Sequence, residues 1–253
     1  MELKGKTVLI TGGASGLGLE SARQFLAKGA HVIICGRNQA KLDQAKKGLP
    51  EIQVIACDVS NKEDSKKLFD QIKSLGGIDI LYNNAGVGTQ PRNLGLAGEL
   101  NYDNAAYEMN INYLSVIHLT NLFIEMLKTR KGAIINTTSV LSYLPALLAP
   151  TYSASKAALR FYTESLRKHL EITGSAVKVF ELLPPLVDTD MTEGLNEKKM
   201  SSEDVVKALI SGIYQDKFTI RVGPTKFLYA MNRLFPKLAF SMLNQKKYYA
   251  LLQ

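Results

Sequence analysis

The sequence predicts an α/β fold of the Rossmann type, a doubly wound parallel sheet of about seven strands with helices on both faces, in a single domain. Three observations carry that expectation. Short β-branched apolar runs alternate with amphipathic stretches along the chain. Most of these runs are apolar throughout, as strands are when a sheet is covered on both sides. The first of them ends directly in glycines.

Thr7-Val8-Leu9-Ile10-Thr11 reads as a buried strand that stops at Gly12. Residues 16–28 have helical spacing, with Leu17, Ala22, Phe25 and Leu26 on one side and a stop near Gly29. Strands at 31–35, 53–56 and 78–82 then alternate with helices at 38–47 and 62–73. A long helix is expected over 105–127, a fifth strand over 133–138, a helix over 153–170 and a sixth strand over 177–183. The helix at 201–213 opens on Ser201-Ser202-Glu203-Asp204, capping hydroxyls followed by acids at the positive end of the helix dipole. The last strand is placed at 218–222.

A chain of 253 residues suits one large domain, and 46% hydrophobic with 21% charged residues supplies a sizeable core and excludes disorder. Cys35 and Cys57 each end an apolar run and read as buried free thiols, which fits a reducing compartment. His31, His118 and His169 are far apart, and no metal-ligand cluster is expected. Met1 to Lys6 shows no signal-peptide pattern, and no stretch approaches the ~20 apolar residues of a membrane span, so the expected location is the cytoplasm. Net charge is +8, and residues 217–253 carry seven basic residues and no acidic one. Taking those seven from the 31 basic residues leaves 24 against 23 acidic, so the tail carries the excess.

Thr11-Gly12-Gly13-Ala14-Ser15-Gly16-Leu17-Gly18 lies between the first strand and the first helix. Glycines there permit unusual dihedrals and close approach to a pyrophosphate, toward which the helix would aim its free N–H groups. The same spacing also serves a plain tight turn. After the second strand, where an acid would grip the ribose hydroxyls of an adenosine, the chain has Cys35-Gly36-Arg37-Asn38. With the acid missing, Arg37 can pair with the extra phosphate of NADP, so NADP(H) is favoured over NAD(H). The bland reading of Arg37 is an exposed arginine at a helix start.

Tyr152 and Lys156 are four residues apart and fall on one helix face. A lysine ammonium beside a phenol favours the phenolate and makes tyrosine a usable acid/base. Alone, such a pair is common. Ser139, after the fifth strand, stands at the carboxyl edge of a parallel sheet, where its hydroxyl can hold a carbonyl while Tyr152 transfers the proton. Asn83-Asn84-Ala85-Gly86 ends the fourth strand at the same edge, in a composition that also suits an ordinary turn.

Together, the glycine pattern from Thr11 to Gly18, the Asn83-to-Gly86 run, Ser139 and the Tyr152/Lys156 pair resemble the short-chain dehydrogenases/reductases, over roughly residues 5–222. The resemblance implies an NAD(P)(H)-dependent oxidoreductase that moves a hydride between the cofactor and a carbonyl or secondary alcohol. By it, the catalytic set is Asn112, Ser139, Tyr152 and Lys156, with Asn112 supporting a water-linked relay to the lysine. The cofactor set is Thr11, Gly12, Ser15, Gly16, Leu17, Gly18, Arg37, Asp58, Val59, Asn84, Ala85, Gly86, Tyr152, Lys156, Pro184, Val187 and Thr189. From the residues alone, Asn112 could instead face outward from a helix, and Asp58 could simply cap one. The family's Pro-Gly after the sixth strand is here Pro184-Pro185, so the loop that follows is expected to be stiffer or differently routed. Pro184-Pro185-Leu186-Val187-Asp188-Thr189 together with Cys35-Gly36-Arg37 resembles the DltE-type bacterial oxidoreductases. The family also implies a homodimer or homotetramer through the helices near 105–127 and 153–170.

Residues 140–151 are strongly apolar, which suggests either a hydrophobic substrate pocket or packing under the next helix. Residues 190–200 resemble the family's substrate lid. The catalytic, NAD(P)-binding part is expected to be 1–223, with 224–253 a basic amphipathic extension of the same domain, broken at Pro236. Such a tail can lie on an anionic membrane surface. A subunit interface or a cover over the substrate pocket is favoured over that, and nucleic acid is not an expected partner. The rival function is a catalytically silent NADP(H)-sensing or membrane-surface protein on the same fold.

Overall fold

The computed structural model describes residues 1–89, 99–194 and 196–252. Seven strands form one sheet: β1 (Thr7–Thr11), β2 (His31–Gly36), β3 (Gln53–Ala56), β4 (Ile80–Asn83), β5 (Ala133–Thr137), β6 (Lys178–Leu183) and β7 (Thr219–Arg221). All pairings are parallel, in the order β3-β2-β1-β4-β5-β6-β7. The order reverses between β1 and β4, and such a switch point opens a crevice at the carboxyl ends of the strands.

The expected core follows from the two-residue period of a strand. Val8 and Ile10 of β1 pack on one face with Ala22, Phe25, Leu42 and Val205. Leu9 packs on the other with Leu68, Ile72, Phe123 and Leu127. The first face is thus covered by α1 (Gly16–Ala27), α2 (Gln39–Gly48) and α7 (Ser202–Tyr214), the second by α3 (Lys62–Ser74), α5 (Ser115–Thr129) and α6 (Pro150–Ile172). Each helix turns an i, i+3/i+4 stripe inward, as in Gly18, Ser21, Ala22 and Phe25 of α1. Fully burying the Phe25 ring contributes on the order of 2–3 kcal/mol. The capping expected at α7 is present: Ser201 Oγ accepts from the Asp204 amide at 3.1 Å, and Glu203 and Asp204 fill the first turn.

Three elements depart from the sequence expectation. The long helix is α4 (Glu99–Met109) joined to α5 through a π turn over Asn110–Leu114. The helix expected from 153 begins at Pro150, because proline at the first helical position lacks only a hydrogen that would have no helical partner. It therefore takes Tyr152 into its first turn. Ser139 stands two residues beyond β5 and caps a 3-10 turn, Val140–Ser142, its Oγ accepting from the Leu141 amide at 3.1 Å. After β7 the chain forms α8 (Thr225–Leu234) and α9 (Pro236–Leu243), broken where Pro236 predicted, and ends in a 3-10 turn, Lys246–Leu252. Among the described residues, no helix is long and apolar enough to cross a membrane, and no cluster of His, Cys, Asp or Glu is arranged to hold a metal. Cys35 and Cys57 are buried free thiols.

Candidate active site

The glycine turn follows β1 and leads into α1. Gly12 and Gly16 have φ of 63° and 50°, the left-handed region that glycine enters at no steric cost. A Cβ on Gly12 would stand 2.9 Å from the Ala85 Cα, and one on Gly18 2.2 Å from the Gly12 carbonyl oxygen. The turn is thus pressed against the strand-end loop 84–86, and helix α1 against the turn. Thr11 and Asn84 stitch these pieces together. Thr11 Oγ1 accepts from the amides of Asn84 and Ala85 at 3.1 and 3.0 Å, and Asn84 Nδ2 donates to the Thr11 carbonyl at 3.1 Å. Ser15 stands at the N-cap of α1 without making a side-chain cap, and no acid occupies the first turn. The first amides of α1, with the positive end of its dipole, are left for an anion. A nucleotide pyrophosphate suits this arrangement, since the backbone can approach it closely and no carboxylate repels it.

On the β2 side, Arg37 follows the strand and donates through Nη1 to the Tyr107 hydroxyl of α4 at 2.8 Å. Tyr107 and Asp58 both hold its guanidinium above the usual arginine pKa. Asp58 Oδ1 accepts from the Ser60 amide and hydroxyl at 2.9 and 2.7 Å, closing a turn, while Asn61 caps α3. Val59 is buried beside it.

At the other end, Tyr152, Lys156, Ser139 and Asn112 converge. Lys156 is buried, and its Nζ donates to the Thr137 carbonyl at the end of β5 at 2.9 Å. Burial pushes its pKa down to about 8. A Cβ on Gly86 would stand 3.3 Å from both Lys156 Nζ and Asn112 Oδ1, and one on Gly88 3.6 Å from the Tyr152 ring, so the 86–88 loop also lies close to this group. Burial pushes the Tyr152 phenol up to about 12; the Ser139 hydroxyl pulls it down, and the charge of Glu108 pushes it up. The lysine ammonium lies 5.7 Å from the centre of the tyrosine ring. Desolvation, and not the lysine effect expected from the sequence, therefore sets the phenol here, with Ser139 as the group that favours the phenolate.

Asn112 faces inward and is fully buried in the π turn. Its amide pairs with both backbone groups of Val87, at 2.9 Å each, and Nδ2 also reaches Ser155 Oγ at 2.9 Å. Pro184 and Val187 are buried after β6, and the Pro184 carbonyl accepts from the Val140 amide at 3.2 Å. Thr189 Cγ2 lies 3.0 Å from where a Gly16 Cβ would be, which brings this loop over the glycine turn. Beyond Pro185, Val187 bridges to Met200, so the segment between them leaves and returns at one place.

Ser139, Tyr152, Lys156 and Asn112 thus lie together beyond the carboxyl ends of β4 and β5, the glycine turn and the 84–86 loop lie beyond β1 and β4, and Thr11 and Asn84 buttress that turn. Sequence reasoning missed Glu108. It is fully buried, its Oε1 accepts from the amide and hydroxyl of Thr89 at 2.5 and 2.7 Å, and its Oε2 has no partner among the described residues. An open groove of about 1030 Å³ between α1 and α7, near Glu20 and Lys207, includes none of these residues.

The short chain dehydrogenase family model matches residues 6–200. The chain belongs to that family. It is 36% identical over 225 residues to the uncharacterized oxidoreductase DltE of Bacillus subtilis, covering 86% of this chain and 88% of that protein. It is 31% identical over 255 residues to the 11-beta-hydroxysteroid dehydrogenase-like 2 protein of Arabidopsis thaliana, covering 95% and 81%. A short chain dehydrogenase from Burkholderia cenocepacia, solved in complex with NADP, superposes with a TM-score of 0.85 at 26% identity over 96% of this chain and 99% of that one. One from Burkholderia phymatum, in complex with NAD, superposes with a TM-score of 0.85 at 24% identity over 94% and 95%, and so adds support for the fold. Family membership makes the protein a short-chain oxidoreductase of the DltE-like kind.

Proposed function

We propose that the protein is an NADP(H)-preferring carbonyl reductase or alcohol dehydrogenase acting on apolar substrates, with Tyr152 as its acid/base. The observation that carries this reading is the convergence of Ser139, Tyr152 and the buried Lys156 at the carboxyl edge of β4 and β5, reached by the same crevice as the glycine turn.

Gly12, Gly16 and Gly18 with the free amides of α1 would hold the pyrophosphate, and Arg37 the 2′-phosphate. Asp58 and Val59 would flank the adenine, and Lys156, Pro184, Val187 and Thr189 the nicotinamide ribose and ring. The cofactor bound there supplies or accepts the hydride. Ser139 would position the substrate oxygen: its Oγ accepts from the Leu141 amide, and the one proton it shares with the Tyr152 oxygen in the free site would turn to the substrate when this binds. Tyr152 is protonated at neutral pH, since burial raises its phenol, and so serves first as the donor to a developing alkoxide. Lys156 holds the ribose and, as an ammonium, steadies the phenolate left behind. Asn112 holds Val87 against the π turn and would support a water-linked relay to the lysine.

The apolar 140–149 loop, with Leu144 buried, favours an apolar ketone, aldehyde or secondary alcohol. Exposed Leu114 and Phe161, 51% and 64% accessible on the long helices, support a homodimer through those helices. The test is reduction of a series of 2-alkanones with NADPH and with NADH, by wild type and Tyr152→Phe. Turnover by wild type that falls at least about 100-fold in the variant, with NADPH binding kept, is expected. NADPH binding without turnover of any carbonyl would refute it in favour of a sensing protein.

A further inference from the structure

The C-terminal segment bonds to two others, the loop between Ser139 and Tyr152 and the segment that follows Val187. Asn244, buried after α9, grips the loop between Ser139 and Tyr152. Its Oδ1 accepts from the Leu147 amide at 2.8 Å, and its Nδ2 donates to the Pro145 carbonyl at 3.0 Å. Asn232 of α8 adds a bond to the Tyr143 carbonyl at 3.1 Å. The Tyr143 ring is wedged against Tyr229, with ring centres 4.8 Å apart, and Arg221 lies over Tyr229 at 3.9 Å. Glu197, in the segment that leaves at Val187 and returns at Met200, accepts from Lys247 at 2.9 Å and from the Tyr248 hydroxyl.

We infer that Asn244 is a specificity-determining positioning residue, which sets the shape of the 143–149 loop while the turn just after it ties down the 190–200 segment, so that the tail forms the far wall of the substrate site. The physical basis is the asymmetry of its bonds. A buried asparagine that satisfies one donor and one acceptor of an irregular loop fixes that loop in register, because a shift would leave its own buried amide without those partners. The loop needs such an anchor. Leu144 is its one buried apolar side chain among 143–149, and no strand pairs its backbone. Besides Asn244 and Asn232, only Ser153 of α6, accepting from the Ala146 amide at 3.2 Å, holds it among the described residues. The ties to Glu197 are exposed and individually weak, so the lid segment is steadied rather than locked. This inference rests on the reductase reading above and assigns the substrate-length selectivity of that site to the tail.

The test compares wild type with Asn244→Leu, which keeps the branched shape and removes both bonds. Hydrogen exchange at the Leu147 amide is expected to speed up at least about tenfold, from loss of its acceptor. The ratio of kcat/KM for 2-decanone to that for 2-butanone is expected to fall about tenfold, with the change in KM. Should Asn244→Leu fail to fold, Asn232→Leu removes the neighbouring tie at a half-buried position and is expected to move both readouts the same way. Unchanged exchange at 143–148, or an unchanged selectivity ratio in a folded variant, overturns the inference. A wild-type chain that reduces no ketone refutes the reductase reading instead, and the exchange result then reports on the clamp by itself.

Discussion

Replacing Lys156 by methionine is expected to stabilise the protein without added nucleotide while ending its turnover. The ammonium is almost fully buried, and burial lowers its pKa from 10.5 to about 8. That displacement corresponds to a cost of roughly 3 kcal/mol at pH 7 for keeping the charged form in the folded state. Against it stands one hydrogen bond, to the Thr137 carbonyl, whose loss costs about 1 kcal/mol. The methionine variant should therefore be about 2 kcal/mol more stable at pH 7, or roughly 4–8 °C in Tm for a chain of this size. The pH dependence follows from the direction of the shift. Below the folded pKa of about 8 both states of the wild type carry the proton, and the full cost is present. Between about 8 and 10.5 the unfolded chain binds more protons than the folded one, so wild-type stability rises with pH and the advantage of the variant shrinks toward zero near pH 10. Urea unfolding of both proteins at pH 7 and pH 10 measures this. A variant less stable than wild type at pH 7, or a difference independent of pH, would refute the claim that the lysine is held in the site against its own desolvation.

Three further outcomes test the site. Arg37→Ala is expected to weaken NADPH binding about 10- to 100-fold and leave NADH within twofold, read by nucleotide fluorescence; equal losses for both would remove Arg37 from the phosphate. Gly18→Ala sets a Cβ 2.2 Å from the Gly12 carbonyl and 2.6 Å from Asn84 Nδ2, so it should cost about 2 kcal/mol of stability and at least about tenfold in NADPH affinity, by denaturation and calorimetry. Ultraviolet difference titration of wild type against Tyr152→Phe, without nucleotide, should show no phenolate from Tyr152 up to pH 10, in keeping with a phenol held near 12; a phenolate appearing near pH 8 would mean that the lysine already dominates.

How much of this was legible in the sequence depends on the range of the interaction that fixes each part. The strands were legible because a parallel sheet buried on both faces demands unbroken apolar runs such as Val8-Leu9-Ile10. Tyr152 and Lys156 were legible because a helix turns a spacing of four into one face. The π turn at Asn110–Leu114 was not, since the residues around it are ordinary helix formers and the insertion answers to packing: it turns Asn112 inward to Val87 and Ser155. Glu108, one turn earlier, reads as a solvent-facing helix acid, and only the approach of Thr89 from a separate loop buries it. Asn244 likewise reads as a residue ending a helix, and its partners lie 97 and 99 residues earlier in the chain.

The two titrating groups of the site show the same division. From spacing alone, the lysine should lower the tyrosine. In the folded chain both are desolvated, which moves them in opposite senses, the phenol up to about 12 and the ammonium down to about 8, each toward its neutral form. A pair prepared in this way gains from any positive charge that arrives beside the phenol and from any hydroxyl that donates to it. Ser139 already supplies the second. The first is what an oxidised nicotinamide brings on the proposed reading, so the same burial that holds Tyr152 as a proton donor in reduction makes its phenolate depend on the oxidised cofactor in the reverse direction. Apolar packing around Tyr152 and Lys156 is on this view part of the chemistry: a substitution that wets the site, such as one opening the loop that Asn244 holds, should raise the lysine pKa and lower that of the tyrosine together.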